Sequence, residues 1–296
     1  MSVAPEPVGM VGLGVMGSAM AAQLLAAGAP VVGYDVVPER RAALQAGGGV
    51  SAPSAAEVAR SCAVVCTSLP TASALDEVAG EIAAVGRDSL VVELSTFALA
   101  DKQRARAMLA EGDARLVDSP VSGTGAQAAV GDLVAFVSGD DAGDRELALR
   151  TVAGFTRAAY DVGPFGNGTR FKLVANLLVA VHNVAAAEAL VLAERASLDL
   201  DLVLEAIGAG AGSSRMFQVR GPKVVARDYD PTVRLEVFLK DLALITGFAE
   251  DLGVSTPMLA ASRALYDEAR DRGWADDDPV RVAELLRESS APRGTG

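Results

Sequence analysis

The sequence predicts an α/β N-terminal fold with a mostly parallel, doubly wound sheet, followed by an all-α helical domain joined to it by a long helix. Three observations carry that prediction. In the first half, short apolar runs alternate with Ala-rich amphipathic segments, as βαβ units do when their sheet is covered on both faces. A glycine turn, GLGVMG at residues 12–17, falls between the first such run and the first such segment. From Gly166 onward the glycine and proline punctuation thins, and apolar residues recur at helical spacing from Thr169 to Ala196.

Each element follows in order. Candidate strands cover Val8 to Val11, Val31 to Tyr34, Ala63 to Thr67, Leu90 to Leu94 and Arg115 to Asp118, with two more at Leu133 to Ser138 and Tyr160 to Gly163. Helices are expected over Met16 to Ala27, Pro38 to Ala46 and Lys102 to Glu111. The texture changes near residue 164, which divides the chain into 1–164 and 165–296. The segment from Thr169 spans roughly 28 residues, about 42 Å at the helical rise, and can bridge two domains. Further helices are expected at Leu200 to Gly208, Gly221 to Ala226, Val237 to Leu252, Thr256 to Arg272 and Pro279 to Glu288, with a frayed tail from Ser289 to Gly296. These helices are apolar on much of their surface, so part of it is expected to be covered by another subunit.

Composition narrows the function. With 296 residues, 51% of them hydrophobic and 22% charged, the chain has apolar material for two cores. A formal charge of -12 repels nucleic acid and anionic membrane surfaces, so the partner to expect is a small molecule. Cys62 and Cys66 are too few for a disulfide scaffold and read as buried packing residues. His182 is the single histidine, so neither a His-based metal site nor a Ser/His/Asp triad is available. The start MSVAPEP lacks a basic leader region, and a cytoplasmic location with no membrane partner is expected.

The glycine turn carries the first chemistry. Gly12 permits a tight turn, Gly14 lets the backbone approach a pyrophosphate, and Gly17 lets helix and strand pack closely, while Leu13, Val15 and Met16 complete the loop. A helix N-terminus offers free N–H groups to phosphate. A bare glycine turn without a ligand has the same pattern; Asp35 separates the two. It closes the second strand about 20 residues past the turn, where a carboxylate accepts hydrogen bonds from ribose hydroxyls and repels a 2′-phosphate. Together these predict a Rossmann domain that binds NAD, with Arg40 and Arg41 leaving room for some NADP use.

Oxidising an alcohol also needs a group that removes the hydroxyl proton, and without a catalytic histidine the candidates are Lys, Tyr, Asp or Glu. Lys172 opens the long helix just after GPFGNG, and Asn176 and Asn183 fall within roughly 40° of it on the same face. Taken alone, the lysine reads as an ordinary solvated residue and the asparagines as bonds to neighbouring helices. His182 points about 80° away and reads as a core or interface residue. The stretch DSPVSGTG at 118–125 ends a strand in a turn whose N–H groups, with the Ser122 hydroxyl, can bind a carboxylate, or else is merely the closing loop. Lys240 and Asp241 form a buried-looking pair inside FLKDLAL, costly unless paired or facing a site.

Four ordered motifs, GLGVMGSAMAAQL at 12–24, DSPVSGT at 118–124, GNGTRFKLVAN at 166–176 and FLKD at 238–241, resemble those of the β-hydroxyacid dehydrogenase family, the 3-hydroxyisobutyrate dehydrogenase group. The resemblance covers nearly the whole chain. It implies a Rossmann domain, a helical domain like that C-terminal in 6-phosphogluconate dehydrogenase, and a homodimer or homotetramer. It implies a catalytic Lys172 working with Asn176 and Ser122, and substrate contacts from Ser122, Gly123, Thr124, Asn176 and Lys240. Lys240 is implied near nicotinamide and substrate carboxylate, with Leu69, Pro70 and Thr96 lining the cofactor cleft. Thr124, Ala175 and Ala126-Gln127 depart from the family pattern, and RMFQVRGP at 215–222 resembles the branch acting on polyhydroxylated acids such as threonate.

The implied reaction moves hydride between a small hydroxy carboxylate and the nicotinamide, with Lys172 taking the proton. A lysine starts near pKa ~10.4, so desolvation or Lys240 must lower it, or oxidation is favoured at alkaline pH. Two alternatives stand beside this: an imine reductase, which usually lacks the lysine, and a non-catalytic NAD-binding protein.

Overall fold

The computed structural model describes residues 6–289, so most of the tail expected to fray lies outside the described residues. The chain forms two compact units, one ending at Lys172 and one beginning at Leu173.

The first unit holds a six-stranded parallel sheet made of β1 (Val8–Val11), β2 (Val31–Tyr34), β3 (Val50–Ser51), β4 (Val64–Thr67), β5 (Leu90–Glu93) and β6 (Arg115–Asp118). Their spatial order is β3-β2-β1-β4-β5-β6. Strand order therefore reverses between β1 and β4, where the crevice of a doubly wound sheet opens at the strand C-termini. The short strands are buried on both faces because helices cover both: α1 (Val15–Ala26), α2 (Pro38–Ala46), α3 (Ala55–Ser61), α4 (Ala72–Ala83) and α5 (Leu99–Ala110). Apolar residues fall into two clusters, around Met10, Leu90 and Val92, and around Val11, Val65 and Val91. Successive residues of one strand thus feed opposite layers. Helices α3 and α4 are absent from the sequence reading. Their N-caps, Ser54 accepting from Glu57 N–H and Thr71 accepting from Ala74 N–H, are the signals that mark them.

Cys62 and Cys66 are buried free thiols as expected, and burial pushes them up to about 11 and about 12 respectively. A smaller sheet follows, β7 (Val121–Ser122), β8 (Val134–Val137) and β9 (Ala158–Asp161), with α6 (Gly125–Ala129) and α7 (Ala142–Val152) between its strands. β7 runs antiparallel to β8, and a bridge between Asp118 and Ser138 joins the small sheet to the large one.

Helix α8 (Asn167–Arg195) starts in the first unit and continues through the second. An 18-residue stretch of it with mean hydropathy 1.6, together with its length, would suit a membrane span by composition alone. Much of its apolar surface is instead core: Ala180, Val184, Ala187, Leu190 and Val191 pack with residues of the helices that follow. Those are α9 (Leu200–Gly208), α10 (Arg215–Ala226), α11 (Leu235–Asp251), α12 (Pro257–Asp271), a 3-10 turn at Pro279–Arg281 and α13 (Val282–Ser289). The expected start of α10 at Gly221 is corrected to Arg215: Ser214 caps the helix through Phe217 N–H, and Pro222 is accommodated inside it. A proline there removes one backbone donor within the helix.

Several polar groups inside this second core are paired, although Asn183 Oδ1 has no hydrogen-bond partner. Asn183 donates to Tyr266 Oη at 2.9 Å, and Tyr266 donates to the Ala180 carbonyl at 2.9 Å. Arg220 pairs with the fully buried Asp278, which also accepts from Thr232 N–H and Oγ1. Asn183, on the same face as Lys172, thus bonds to a neighbouring helix as a core residue holding Tyr266.

Candidate active site

The glycine turn is built as its three glycines require. Gly12 has φ +89°, and a Cβ there would sit 2.1 Å from the Ser68 carbonyl oxygen. At Gly17 a Cβ would meet the Gly12 carbonyl oxygen at 1.9 Å, so helix and turn touch backbone to backbone. At Gly14 nothing lies within 4 Å, which leaves an open approach for a ligand. Helix α1 has neither a side-chain cap nor an acidic residue in its first turn. Its partial positive end and first N–H groups face the cleft without an internal anion.

Asp35 follows β2 and is almost fully buried. Its Oδ2 accepts from Leu13 N–H at 2.7 Å and its Oδ1 from Val37 N–H at 2.8 Å, so the carboxylate ties the turn to the strand end. Arg40 approaches it at 3.3 Å, and Arg41 donates to the Asp35 carbonyl at 2.5 Å while lying over the Tyr34 ring. Between these groups is a cleft of about 350 Å³ at the strand C-termini. Of the residues expected to bind cofactor, Gly12, Gly14, Val15, Met16, Asp35, Leu69 and Pro70 line it. Leu13 and Gly17 stand behind it as backbone support. Sequence reading missed Tyr34, Ser68, Glu77 and Glu81, which also line it; the two glutamates sit on α4, which carried no expectation.

Thr96 is half-buried in the loop after β5, beside Ser95, whose hydroxyl accepts from Leu69 N–H at 2.9 Å. Ser122 is half-buried at the end of β7, and Gly123 has φ +142°, a backbone conformation that other residues adopt only with strain. The Thr124 hydroxyl caps α6 by accepting from Gln127 N–H at 3.4 Å, while its own N–H donates to Gln127 Oε1 at 3.0 Å. The departure at Gln127 thereby acquires a role, closing a capping box. Gly125 leaves room for Val15 Cγ1, 2.5 Å from the Cβ position, so this turn abuts the glycine turn.

Lys172 is not an ordinary solvated residue: it is 7% exposed on the second turn of α8. The start of that helix is gripped by buried groups. Thr169 N–H and Oγ1 donate to the Asp118 carboxylate at 2.8 and 3.0 Å, and Gly168 N–H donates to Ser138 Oγ at 2.9 Å. In the second unit, Asn176 is buried and donates through Nδ2 to Asp241 Oδ2 at 2.9 Å. Lys240 is corrected from buried to exposed: its side chain is 43% accessible, 3.5 Å from Asp241 Oδ1. The aliphatic neighbours Leu239 and Leu242 are core, and the lysine lies on the opposite side of α11.

A turn shaped for a dinucleotide, an acid at the second strand and a buried lysine on a long helix can be compared with known proteins. Residues 7–150 match the NAD binding domain of 6-phosphogluconate dehydrogenase, and residues 166–286 match the domain described as NAD-binding of NADP-dependent 3-hydroxyisobutyrate dehydrogenase. L-threonate dehydrogenase of Cupriavidus necator is 32% identical over 284 residues, covering 94% of this chain and 95% of that protein. The crystal structure of 3-hydroxyisobutyrate dehydrogenase from Salmonella typhimurium is 32% identical with a TM-score of 0.84, covering 95% of this chain and 99% of that one. Psf3, solved in complex with NADP+ and 2-OPP, is 26% identical with a TM-score of 0.85 over 94% of this chain and 99% of its own. Family models match both halves and the relatives cover nearly the whole chain, so the chain belongs to the 3-hydroxyisobutyrate dehydrogenase-like β-hydroxyacid dehydrogenase family of NAD(P)-dependent oxidoreductases.

Proposed function

We propose that this enzyme oxidises a small β-hydroxy acid, threonate-like or 3-hydroxyisobutyrate-like, with NAD as the preferred cofactor and Lys172 as general base. The observation that carries the reading is the buried Lys172, one helical turn ahead of Asn176, whose amide is oriented by Asp241. When bound, the cofactor supplies the hydride acceptor. Neutral Lys172 accepts the hydroxyl proton as the carbinol C–H bond breaks, which leaves a carbonyl; in reduction the ammonium returns that proton to the developing alkoxide. In this reading Asn176 serves the amine and the hydroxyl, Ser122 with Gly123 and Thr124 serves the substrate, and Lys240 serves its carboxylate. The likeness to threonate dehydrogenases along the whole chain supports a polyhydroxylated acid.

NAD is favoured over NADP because Asp35, Glu77 and Glu81 line the cleft against Arg40. Asp35→Ser is expected to cut the preference for NAD in kcat/KM by about ten- to hundredfold, the equivalent of about 1.5–3 kcal/mol for hydrogen bonds to a charged group. Steady-state kinetics with both cofactors checks this, and an unchanged ratio removes Asp35 from cofactor selection. Phe171, Val174 and Leu178, spaced along one exposed stripe of α8, support a homodimer or homotetramer in which a second copy covers them.

The reading is tested with a panel of threonate, 2-alkyl-3-hydroxy acids, the matching semialdehydes and cyclic imines, each with both cofactors, following nicotinamide absorbance. Turnover of a hydroxy acid or its semialdehyde supports it; turnover of imines alone, or of none, refutes it.

A further inference from the structure

We propose that Lys102 and Asp118 act as a positioning device for the helical turn that carries Lys172. This rests on the reading of Lys172 as general base. Glu93 and Asp118 end the neighbouring parallel strands β5 and β6 in direct register, and both are fully buried. Lys102 reaches between them from α5: its Nζ is 2.6 Å from Glu93 Oε2, 2.7 Å from Asp118 Oδ1 and 2.8 Å from the Ser95 carbonyl oxygen. Asp118 Oδ1 and the Ser95 carbonyl accept hydrogen bonds from the ammonium, and Glu93 adds a second charge partner.

What Asp118 then holds is the start of α8. Besides Thr169 N–H and Oγ1, it accepts from Ser138 Oγ at 3.2 Å, and that same hydroxyl receives Gly168 N–H. A Cβ on Gly168 would lie 2.4 Å from the Phe136 carbonyl oxygen and 2.7 Å from that of Asp118, so the helix backbone is pressed against the strand ends. The helix cannot turn or slide there without breaking several buried bonds at once. Lys172 is three residues farther, about 4.5 Å along the axis. Any looseness at Thr169 is therefore delivered to the base almost unreduced. A buried ion pair is weak evidence of stability in itself, since apolar residues of like volume often do as well. Here every ligand of Asp118 other than Lys102 belongs to α8 or to the serine that grips it.

The test uses the full chain and the hydroxy acid that turns over fastest in the panel above, with Ser138→Ala, Thr169→Val, Thr169→Ser and, as reference, Lys172→Ala. Ser138→Ala and Thr169→Val are each expected to lower kcat by about ten- to hundredfold, because a misplacement near 1 Å costs about that much. NADH affinity, read by fluorescence titration, is expected to stay within about twofold of the parent, since α8 is remote in sequence from the glycine turn, and Thr169→Ser is expected to restore most of kcat. Parent kcat in both Ser138→Ala and Thr169→Val overturns the proposal while leaving Lys172 in its role. So does a parallel fall of kcat and NADH affinity that Thr169→Ser does not relieve, which marks a general structural part. Parent activity in Lys172→Ala overturns the general-base reading itself, and this proposal with it.

Discussion

Lys172→Ala is expected to lower kcat by about 10²–10⁴-fold, the usual contribution of a positioned proton acceptor, while NADH still binds with near-parent affinity. The cleft proposed to receive the dinucleotide is lined by residues between Val11 and Glu81, so shortening the side chain at residue 172 leaves it intact. Lys172→Arg is expected to be nearly as inactive as the alanine variant, because a guanidinium stays protonated and cannot take the hydroxyl proton. Comparing kcat, its pH profile and NADH titration for the three proteins separates lost proton transfer from lost binding. An alanine variant that turns over at the parent rate refutes the assignment.

Lys102→Met is expected to destabilise the first unit by about 3–5 kcal/mol, because it leaves Glu93 and Asp118 buried without their cation. For a unit of this size that corresponds to a melting temperature lower by roughly 10 °C. The loss should depend on pH. Burial pushes the Glu93 carboxyl up even with Lys102 beside it. A carboxyl whose folded pKa lies above the unfolded one binds more protons when folded, so its contribution to stability falls as pH rises through the folded value. Without the ammonium that opposition grows, and the variant is expected to lose more stability at pH 8 than at pH 5. In the parent, burial lowers the Lys102 ammonium but Asp118 and Glu93 outweigh it and hold it above the ordinary lysine range, so its support lasts until strongly alkaline pH. Thermal melts of both proteins from pH 5 to 8 check this; a loss that does not vary with pH shows that the carboxylates are not the source.

The glycine turn, Asp35 and the long helix were legible because each rests on local rules: three glycines at a fixed offset, an acid at a strand end, a sustained helical period. Strands β1, β2, β5 and β6 were legible within a residue or so for the same reason, being short apolar runs between turns. The Lys102 arrangement was not. Residues 93, 102, 118, 138 and 169 meet only through sheet register and helix packing, which no spacing encodes. One trace did exist: Lys102 falls in phase with the buried Ala105 and Leu109 of α5, whereas Arg104 points to the other side. A lysine on the apolar side of a surface helix needs a carboxylate waiting inside. Lys240 misled for the converse reason, since its run FLKDLAL is apolar in composition but amphipathic in rotation, and the lysine falls on the wet side.

The two cysteines lend the first unit an internal reporter. Cys62 ends α3 and Cys66 lies within β4, both inaccessible and both with thiols held far from the reactive thiolate form. Alkylating reagents and mild oxidants therefore meet no nucleophile while the sheet is closed. Any labelling that does occur measures how often the centre of the sheet opens, so its rate, followed with and without NAD, reads the stabilisation that the cofactor confers on the nucleotide-binding half without an added probe.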